Sequence, residues 1–183
     1  EADTPDTANL TFGDATLDEP FSVFAWVNQT ATTGIKTILS KYDITTGVTK
    51  REWWFYLDAA EKLVFECYDE SVPANIGRLY NTALAAGSML FVAATYNGLR
   101  VSSGVKLYSA AAVVDDTDSA AGTYVAMENT ASLVRLGMTQ GAAAQANFFS
   151  GSMAVVGLSL GALSASELWS MKALGYAFFD LAL

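Results

Sequence analysis

Short apolar segments separated by turn residues dominate the chain. The segments are rich in β-branched and aromatic residues, and Gly, Pro, Asn or Asp lies between them, as is typical of the strands of an antiparallel sandwich. They lie at residues 21–27, 35–41, 51–57, 62–68, 76–80, 89–96, 105–114, 132–137 and 148–160. The pattern therefore predicts an all-β fold.

Two of the predicted strands, 21–27 and 89–96, are apolar at nearly every position. A strand with one face in water alternates between apolar and polar residues. Continuous apolar character predicts that these two strands are covered on both faces, or that one of their faces makes a contact.

One helix is predicted near the C-terminus. Ser164 is a suitable N-cap, and Glu167 three residues later completes a capping box. Gly175 stands where a glycine commonly ends a helix, so the helix is expected over residues 165–174. The apolar tail 176–183 is expected to pack as a last strand or against a neighbour.

Several short motifs follow one another in a characteristic order. Phe-Ser-Val-Phe-Ala-Trp-Val lies at 21–27, Ile-Leu-Ser-Lys at 38–41, Val-Ala-Ala-Thr-Tyr with a following Asn-Gly at 92–98, and Phe-Ser-Gly-Ser-Met-Ala-Val-Val at 149–156. This order resembles the laminin G-like jelly roll of the concanavalin A-like lectin/glucanase superfamily. The resemblance covers about residues 10–175 and implies one domain, spanning 1–183. Its fold would be a two-sheet antiparallel jelly-roll sandwich with one concave sheet and a short C-terminal helix.

Charge and hydropathy exclude some partners. The chain has 183 residues and a net charge of −9, with 10 Lys and Arg against 19 Asp and Glu. Nucleic-acid binding needs a basic surface that displaces counterions, so no nucleic-acid partner is expected. No apolar segment approaches the roughly 18 residues of a membrane span, so no membrane insertion is expected.

The residue types argue against catalysis. The chain contains no histidine, which removes the commonest general base and the Ser–His and Cys–His nucleophile pairs. The superfamily includes glycoside hydrolases, whose retaining members need two carboxyl groups about 5–5.5 Å apart. Glu66 and Asp69 fall on opposite faces of a regular strand and cannot form such a pair. The chain is therefore expected not to be an enzyme.

Two groups of aspartates suggest a cofactor. Asp14 and Asp18 precede the first clear strand, and Asp115, Asp116 and Asp118 cluster in a later loop. Ca²⁺ prefers six to eight oxygen ligands, often from carboxylates on loops, so these residues are candidate calcium ligands. The alternative is that they are ordinary turn residues in water.

Aromatic residues are the candidates for ligand binding. Strand alternation puts Trp54 and Tyr56 on one face, and Trp53 and Phe55 on the other. One pair must enter the core, and the other may line the concave sheet or an interface. Trp54, Tyr56 and Trp26, from another strand, are the candidate ligand-binding residues, with a core role for most of them as the alternative.

Two functions remain open. The first is a non-catalytic recognition or adhesion module, outside the cell or on a cell or virion surface, that binds a glycan or protein. The second is a structural subunit of a virus or phage particle that packs against other subunits of an assembly. An aromatic concave face favours the first. Low charge, and Ala154 and Val155 where many relatives carry an acidic pair, favour the second.

Overall fold

The computed structural model describes residues 2–4, 10–30 and 33–179, with side chains for 10–30 and 33–175. Its elements are β1 (Ala2–Thr4), β2 (Phe21–Gln29), β3 (Lys36–Asp43), β4 (Lys50–Leu57), β5 (Lys62–Asp69), β6 (Ala74–Ala83), β7 (Leu90–Tyr96), β8 (Val105–Ser109), β9 (Ala112–Val113), β10 (Thr117–Asp118), β11 (Val134–Leu136), β12 (Thr139–Gln140), β13 (Gln145–Ala146), β14 (Gly151–Leu160) and α1 (Ala165–Phe179).

Within the described residues the strands form two sheets. The larger sheet has nine strands in the order β1-β11-β3-β4-β5-β6-β10, with β12 joined to β3 and β13 joined to β12. The smaller sheet has five strands in the order β14-β2-β7-β8-β9. The long neighbouring strands run antiparallel. The predicted all-β jelly-roll sandwich with a C-terminal helix is confirmed.

Alternate side chains of the central strands fill the space between the two sheets. Trp53, Phe55 and Leu57 of β4 point inward and are fully buried, and they share one core cluster with Phe21 of β2 and Phe65 of β5. The ring of Phe21 lies 5.8 Å from that of Trp53 and 5.7 Å from that of Phe65. Each such side chain contributes about 1.5–3 kcal/mol when it leaves water, so this layer is the main source of stability.

The strand β2 is covered on both faces, as its continuous apolar pattern predicts. Phe24 and Trp26 point away from the core, and Leu168 of α1 packs against them together with Phe91 of β7. Trp26 is 1% exposed and Leu168 is fully buried. The helix is therefore the outer cover of the smaller sheet.

The helix α1 is longer than the sequence pattern predicts. It continues through Gly175, so the expected end at this glycine is wrong, and so is the expectation of a strand for 176–179. The rest of the tail, 180–183, lies outside the described residues. An ideal Cβ on Gly175 would lie 1.9 Å from Nε1 of Trp26. The glycine therefore permits close packing of the helix on the sheet.

Among the described residues, no helix combines the length and the hydropathy that a membrane span requires.

The predicted strand 105–114 is in fact a hairpin. Ala110 and Ala111 have φ values of +50° and +64°, and they connect β8 to β9. Positive φ at both central residues is the requirement of a type I′ turn, which glycine or asparagine usually meets. Alanine gives no local signal for such a turn, which explains why the sequence pattern predicted one continuous strand.

Gly175→Ala is expected to lower the free energy of unfolding by about 1–3 kcal/mol, because the added methyl group overlaps the indole of Trp26. Helix propensity alone predicts the opposite, a gain of about 1 kcal/mol. Urea unfolding followed by tryptophan fluorescence measures the change. The control is Ala173→Gly at an exposed helical position, which should lose about 1 kcal/mol through propensity only. A Gly175→Ala protein more stable than wild type would contradict the packing role.

Candidate ligand-binding face

Trp54 and Tyr56 lie on the outer face of the larger sheet. Their neighbours in β4, Trp53 and Phe55, fill the core, so the predicted division of the two pairs between the faces is confirmed. Trp54 pairs across the sheet with Glu66 of β5. Residues that pair directly in this way point to the same face, so an acidic side chain lies beside the indole.

Tyr42, Trp54, Tyr56 and Tyr68 form a cluster on this outer face, here called the aromatic face. The rings of Trp54 and Tyr56 are stacked with centroids 4.0 Å apart, and the centroids of Trp54 and Tyr42 are 4.7 Å apart. Tyr42 and Tyr68 meet edge to face at 5.5 Å. The four residues are 6–9% exposed, because the rings largely cover one another. Ring edges and polar groups therefore form the accessible surface of this face.

Arg51 joins the aromatic face because β4 contains a bulge. The register shifts between Lys41 and Tyr42, and Tyr42 is paired with Arg51. The guanidinium carbon lies 4.8 Å from the centre of the Tyr68 ring and 6.0 Å from that of Tyr42, which is a cation–π geometry. Its Nε donates a hydrogen bond to Glu70. The arrangement holds a half-buried positive charge at the rim of the face.

The carboxylate of Glu66 is the polar centre of the aromatic face. Its Oε2 accepts hydrogen bonds from the hydroxyls of Tyr56, at 3.1 Å, and Tyr68. Its Oε1 accepts from the hydroxyl of Ser119 and from the side-chain amide of Asn75, at 3.4 Å. Burial, and next the charge of Glu66, raise the pKa of both tyrosines. The phenols therefore remain protonated and act as donors.

Sequence reasoning missed Glu66 and Ser119 as members of this face. Glu66 enters the sequence-based hypotheses only as half of a catalytic pair, although alternation along β5 places it on the same face as Tyr68, two residues later. That alternation is the signal that identifies Glu66. The pairing of β10 with β6 brings Ser119 to this face. The N–H of Ser119 donates a hydrogen bond to the carbonyl of Gly77 on β6, at 3.0 Å. This pairing is long-range, and no local pattern marks it.

The inclusion of Trp26 in this site is corrected. Trp26 lies on β2, on the outer face of the smaller sheet, beneath Leu168 of α1. It is 1% exposed, and the core separates it from Trp54. Trp26 and Trp54 therefore lie on the outer faces of different sheets, and the ligand-binding role of each stays a prediction.

The two aspartates of the first candidate calcium site, Asp14 and Asp18, differ in burial. Asp14 is exposed, and its Oδ1 accepts from the N–H groups of the two residues that follow Ala15. Asp18 is 8% exposed and accepts hydrogen bonds from the hydroxyls of Tyr96 and Tyr124, both at 2.6 Å, and from the N–H of Met127 at 2.8 Å. Burial raises the pKa of Asp18, opposed by these bonds. Asp18 thus joins three distant parts of the chain.

The second group of candidate calcium ligands, Asp115, Asp116 and Asp118, lies at the edge of the larger sheet, where β10 pairs with β6. Asp115 and Asp118 both form ion pairs with Arg78, the former at 3.2 Å. Asp116 accepts a hydrogen bond from the N–H of Asn81 at 2.9 Å. These contacts fasten the segment to the sheet.

The calcium site stays a prediction. In the part of the chain that the structure describes, no group of three or more histidine, cysteine or acidic side chains is placed to hold a metal ion. For Asp18 or Asp115 to bind Ca²⁺, each would have to exchange present hydrogen-bond or ion-pair partners for the ion.

The fold defines the class of protein. Two packed antiparallel sheets form the jelly-roll architecture that lectin domains and viral capsid domains share. The chain belongs to the concanavalin A-like lectin/glucanases superfamily, since the Laminin_G_3 family model matches residues 4–168. A comparison with curated protein sequences gives no match.

Several solved structures share the fold. A CBM40 domain of a Ruminococcus gnavus IT-sialidase, bound to α2,3-sialyllactose, has a TM-score of 0.63 at 20% identity, over 86% of this chain and 84% of that chain. The binding domain of botulinum neurotoxin serotype G has 0.63 at 9% identity, over 96% and 40%. A SAP-like pentraxin from Limulus polyphemus has 0.53 at 13% identity, over 93% and 80%. At these identities the likeness establishes the fold.

Asp18→Ala is expected to lower the free energy of unfolding by about 3 kcal/mol, because it leaves the buried hydroxyl of Tyr96, the partly buried hydroxyl of Tyr124 and the buried N–H of Met127 without their acceptor. The matched control is Asp14→Ala, whose backbone partners are exposed to water, with a loss of about 0.5 kcal/mol or less. Chemical unfolding of both variants measures the difference. Equal effects would contradict the assignment of Asp18 as a structural centre.

The calcium prediction is tested by isothermal titration of chelator-treated protein with Ca²⁺. Binding should give heat at millimolar Ca²⁺ and should be lost in Asp116→Asn or Asp118→Asn if the later aspartates are the ligands. Absence of heat at millimolar Ca²⁺ would contradict the prediction.

Proposed function

We propose that the chain is a non-catalytic recognition module that binds a glycan at the aromatic face. The observation that carries the proposal is the Glu66 carboxylate, which collects hydroxyl and amide donors in the middle of a cluster of aromatic rings. Sugars present hydroxyl donors beside apolar ring faces, so a carboxylate among aromatic edges matches their chemistry. Such a module would act outside the cell, or on a cell or virion surface.

The polar rim supports hydrogen-bonded recognition more than stacking. The faces of Trp54 and Tyr56 are turned to each other, at 4.0 Å between centroids, and offer a pyranose ring mainly their edges. Asn75 and Ser119 are only partly buried beside Glu66, and their polar groups reach the carboxylate. A bound sugar would therefore exchange hydroxyl hydrogen bonds with this rim.

Charge on the aromatic face supports testing acidic glycans first. Arg51 lies at the rim, paired with Glu70, and Arg135 of β11 lies in the cross-strand row of Ser40 and Trp54. Arginine binds a carboxylate through two parallel hydrogen bonds, which gives both geometry and energy. The CBM40 domain of similar fold was solved with sialyllactose, which carries such a carboxylate. The sialyllactoses are therefore the first probes.

A binding role accounts for the hydrogen-bonded environment of Glu66 better than a role in hydrolysis does. A retaining glycosidase uses one carboxyl group as an acid and a second as nucleophile. Glu66 is engaged by the hydroxyls of Tyr56, Tyr68 and Ser119, an environment that positions a carboxylate as a hydrogen-bond acceptor. The Tyr56 and Tyr68 hydroxyls would hold the acceptor in place while a ligand binds.

Glu66→Gln is expected to weaken glycan binding about tenfold, which is about 1.4 kcal/mol, because an amide replaces one acceptor oxygen by a donor. Arg51→Gln should weaken binding of α2,3- and α2,6-sialyllactose selectively and leave lactose unaffected. Isothermal titration with these three sugars, after a glycan array, measures the changes.

Two controls accompany this measurement. Glu19→Gln makes the same chemical change at an exposed position remote from the aromatic face, and Trp169→Ala removes an exposed tryptophan from α1. Neither should alter the affinity. The proposal fails if the wild-type protein binds no glycan on the array, or if Glu66→Gln binds as tightly as wild type.

A structural subunit of a virus or phage particle is the second candidate. Exposed apolar side chains favour it, since Leu160 is 70% exposed, Leu174 59%, and Phe148 and Trp169 both 52%. Such side chains would be covered where subunits of an assembly meet. A chain that binds no glycan but self-associates in light scattering would favour this role over the first.

A further inference from the structure

The hydroxyl of Ser119 occupies one of the acceptor positions of Glu66. Ser119 belongs to a segment at the edge of the larger sheet, residues 117–122, here called the edge segment. Its side chain reaches over β6 to Oε1 of Glu66 on β5. The contact spans one whole strand, and it places an aliphatic hydroxyl where a sugar hydroxyl would bind under the proposed function.

Gly77 makes this reach possible. Gly77 lies on β6, directly opposite Glu66 in the sheet. An ideal Cβ on Gly77 would lie 2.3 Å from the carbonyl oxygen of Phe65 and 2.9 Å from Cγ of Glu66. Any larger residue would therefore displace Glu66 and close the path from the edge segment. The absence of a side chain at Gly77 lets Glu66 pack closely against β6, where its carboxylate meets the Ser119 hydroxyl.

The edge segment is attached through a short ladder and through polar contacts that are mostly exposed or partly buried. The strand β10 has only two residues, and beyond it Ala121 forms an isolated bridge with Asn75. Further attachments are the Ser119 N–H to the carbonyl of Gly77, the Asn75 amide to the carbonyl of Ser119 at 3.2 Å, and the Asn81 amide to the hydroxyl of Thr117 at 2.7 Å. The Arg78–Asp118 ion pair adds another, and its carboxylate is 60% exposed. A short edge strand with exposed side chains belongs to the least stable part of a sheet.

We propose that Ser119 is a built-in competitor at Glu66, and that a ligand hydroxyl takes its place when a glycan binds. This inference rests on the proposed function and deepens it, because it names the group on the ligand that Glu66 accepts. The exchange replaces one hydroxyl-to-carboxylate hydrogen bond by another. The displaced Ser119 hydroxyl turns to water at the sheet edge, and the edge segment moves outward by as much as the ligand requires.

Removing the Ser119 hydroxyl changes the affinity for the ligand in opposite directions, depending on whether Ser119 competes with the ligand or contacts it. If Ser119 contacts the ligand, removing its hydroxyl weakens binding. If Ser119 competes with the ligand, removing the hydroxyl strengthens binding, because Oε1 of Glu66 no longer has to lose a partner. If Ser119 only supports the fold, its removal changes stability and leaves affinity unchanged.

Ser119→Ala is expected to bind the sialyllactose or lactose that wild type binds about three- to tenfold more tightly. The matched control is Thr117→Val in the same edge segment, because the Thr117 hydroxyl contacts the amide of Asn81 and its removal should leave affinity unchanged. The gain should vanish when Ser119→Ala is combined with Glu66→Gln, since the competition acts through that carboxylate. Hydrogen exchange should be faster in residues 117–122 of wild type when the sugar is bound.

Each outcome of these measurements either supports or overturns the competitor role of Ser119. Wild-type binding that Ser119→Ala weakens or leaves unchanged overturns the competitor role and leaves the proposed function standing. A gain that persists in the Glu66→Gln background also overturns it, because the gain would not act through Glu66. Binding by neither wild type nor Ser119→Ala overturns the proposed function and the inference together.

Discussion

The whole structure depends on one constraint: the central strands of both sheets carry large apolar side chains on both faces. In β4, Trp53 points to the core and Trp54 outward, and in β2 Val23 and Val27 point to the core while Phe24 and Trp26 point outward. Strand geometry sends neighbours to opposite sides, so one set fills the core and the other faces outward. An outward apolar set must be covered, and the two sheets solve this problem differently.

The smaller sheet uses a helix, and the larger sheet uses its own side chains. Leu168 of α1 seals the ring of Trp26, and Gly175 lets the helix approach the indole. On the aromatic face, stacked rings cover one another, and the tyrosine hydroxyls are gathered by Glu66. The tyrosine hydroxyls can be buried without a large loss of stability because the Glu66 carboxylate accepts hydrogen bonds from them.

Local pattern predicted the strands, the sandwich and the faces of Trp54 and Tyr56, because alternation depends only on neighbouring residues. It did not predict that Trp26 lies on the outer face of β2 beneath α1, since both faces of β2 look alike in sequence. It could not show that Asp18 is buried among hydroxyls contributed by distant segments. The same limit hid Ser119, whose position depends on long-range pairing at the edge of the sheet. The sequence therefore predicts candidate sites whose residues lie on one strand, and it does not predict sites that are completed by distant loops.

The difference between the two covers also supports the aromatic face as the place where the proposed ligand would bind. Lifting α1 would expose Trp26 and Phe91 to water, at a cost that grows with the apolar area uncovered. Moving Ser119 from Glu66 uncovers a hydroxyl and a carboxylate oxygen, which water or a sugar can satisfy at once. Of the two outer faces, the aromatic face alone can open without losing hydrophobic burial. A jelly roll of this design therefore keeps its stability in the core and under the helix, and leaves the polar cover of the larger sheet available for exchange.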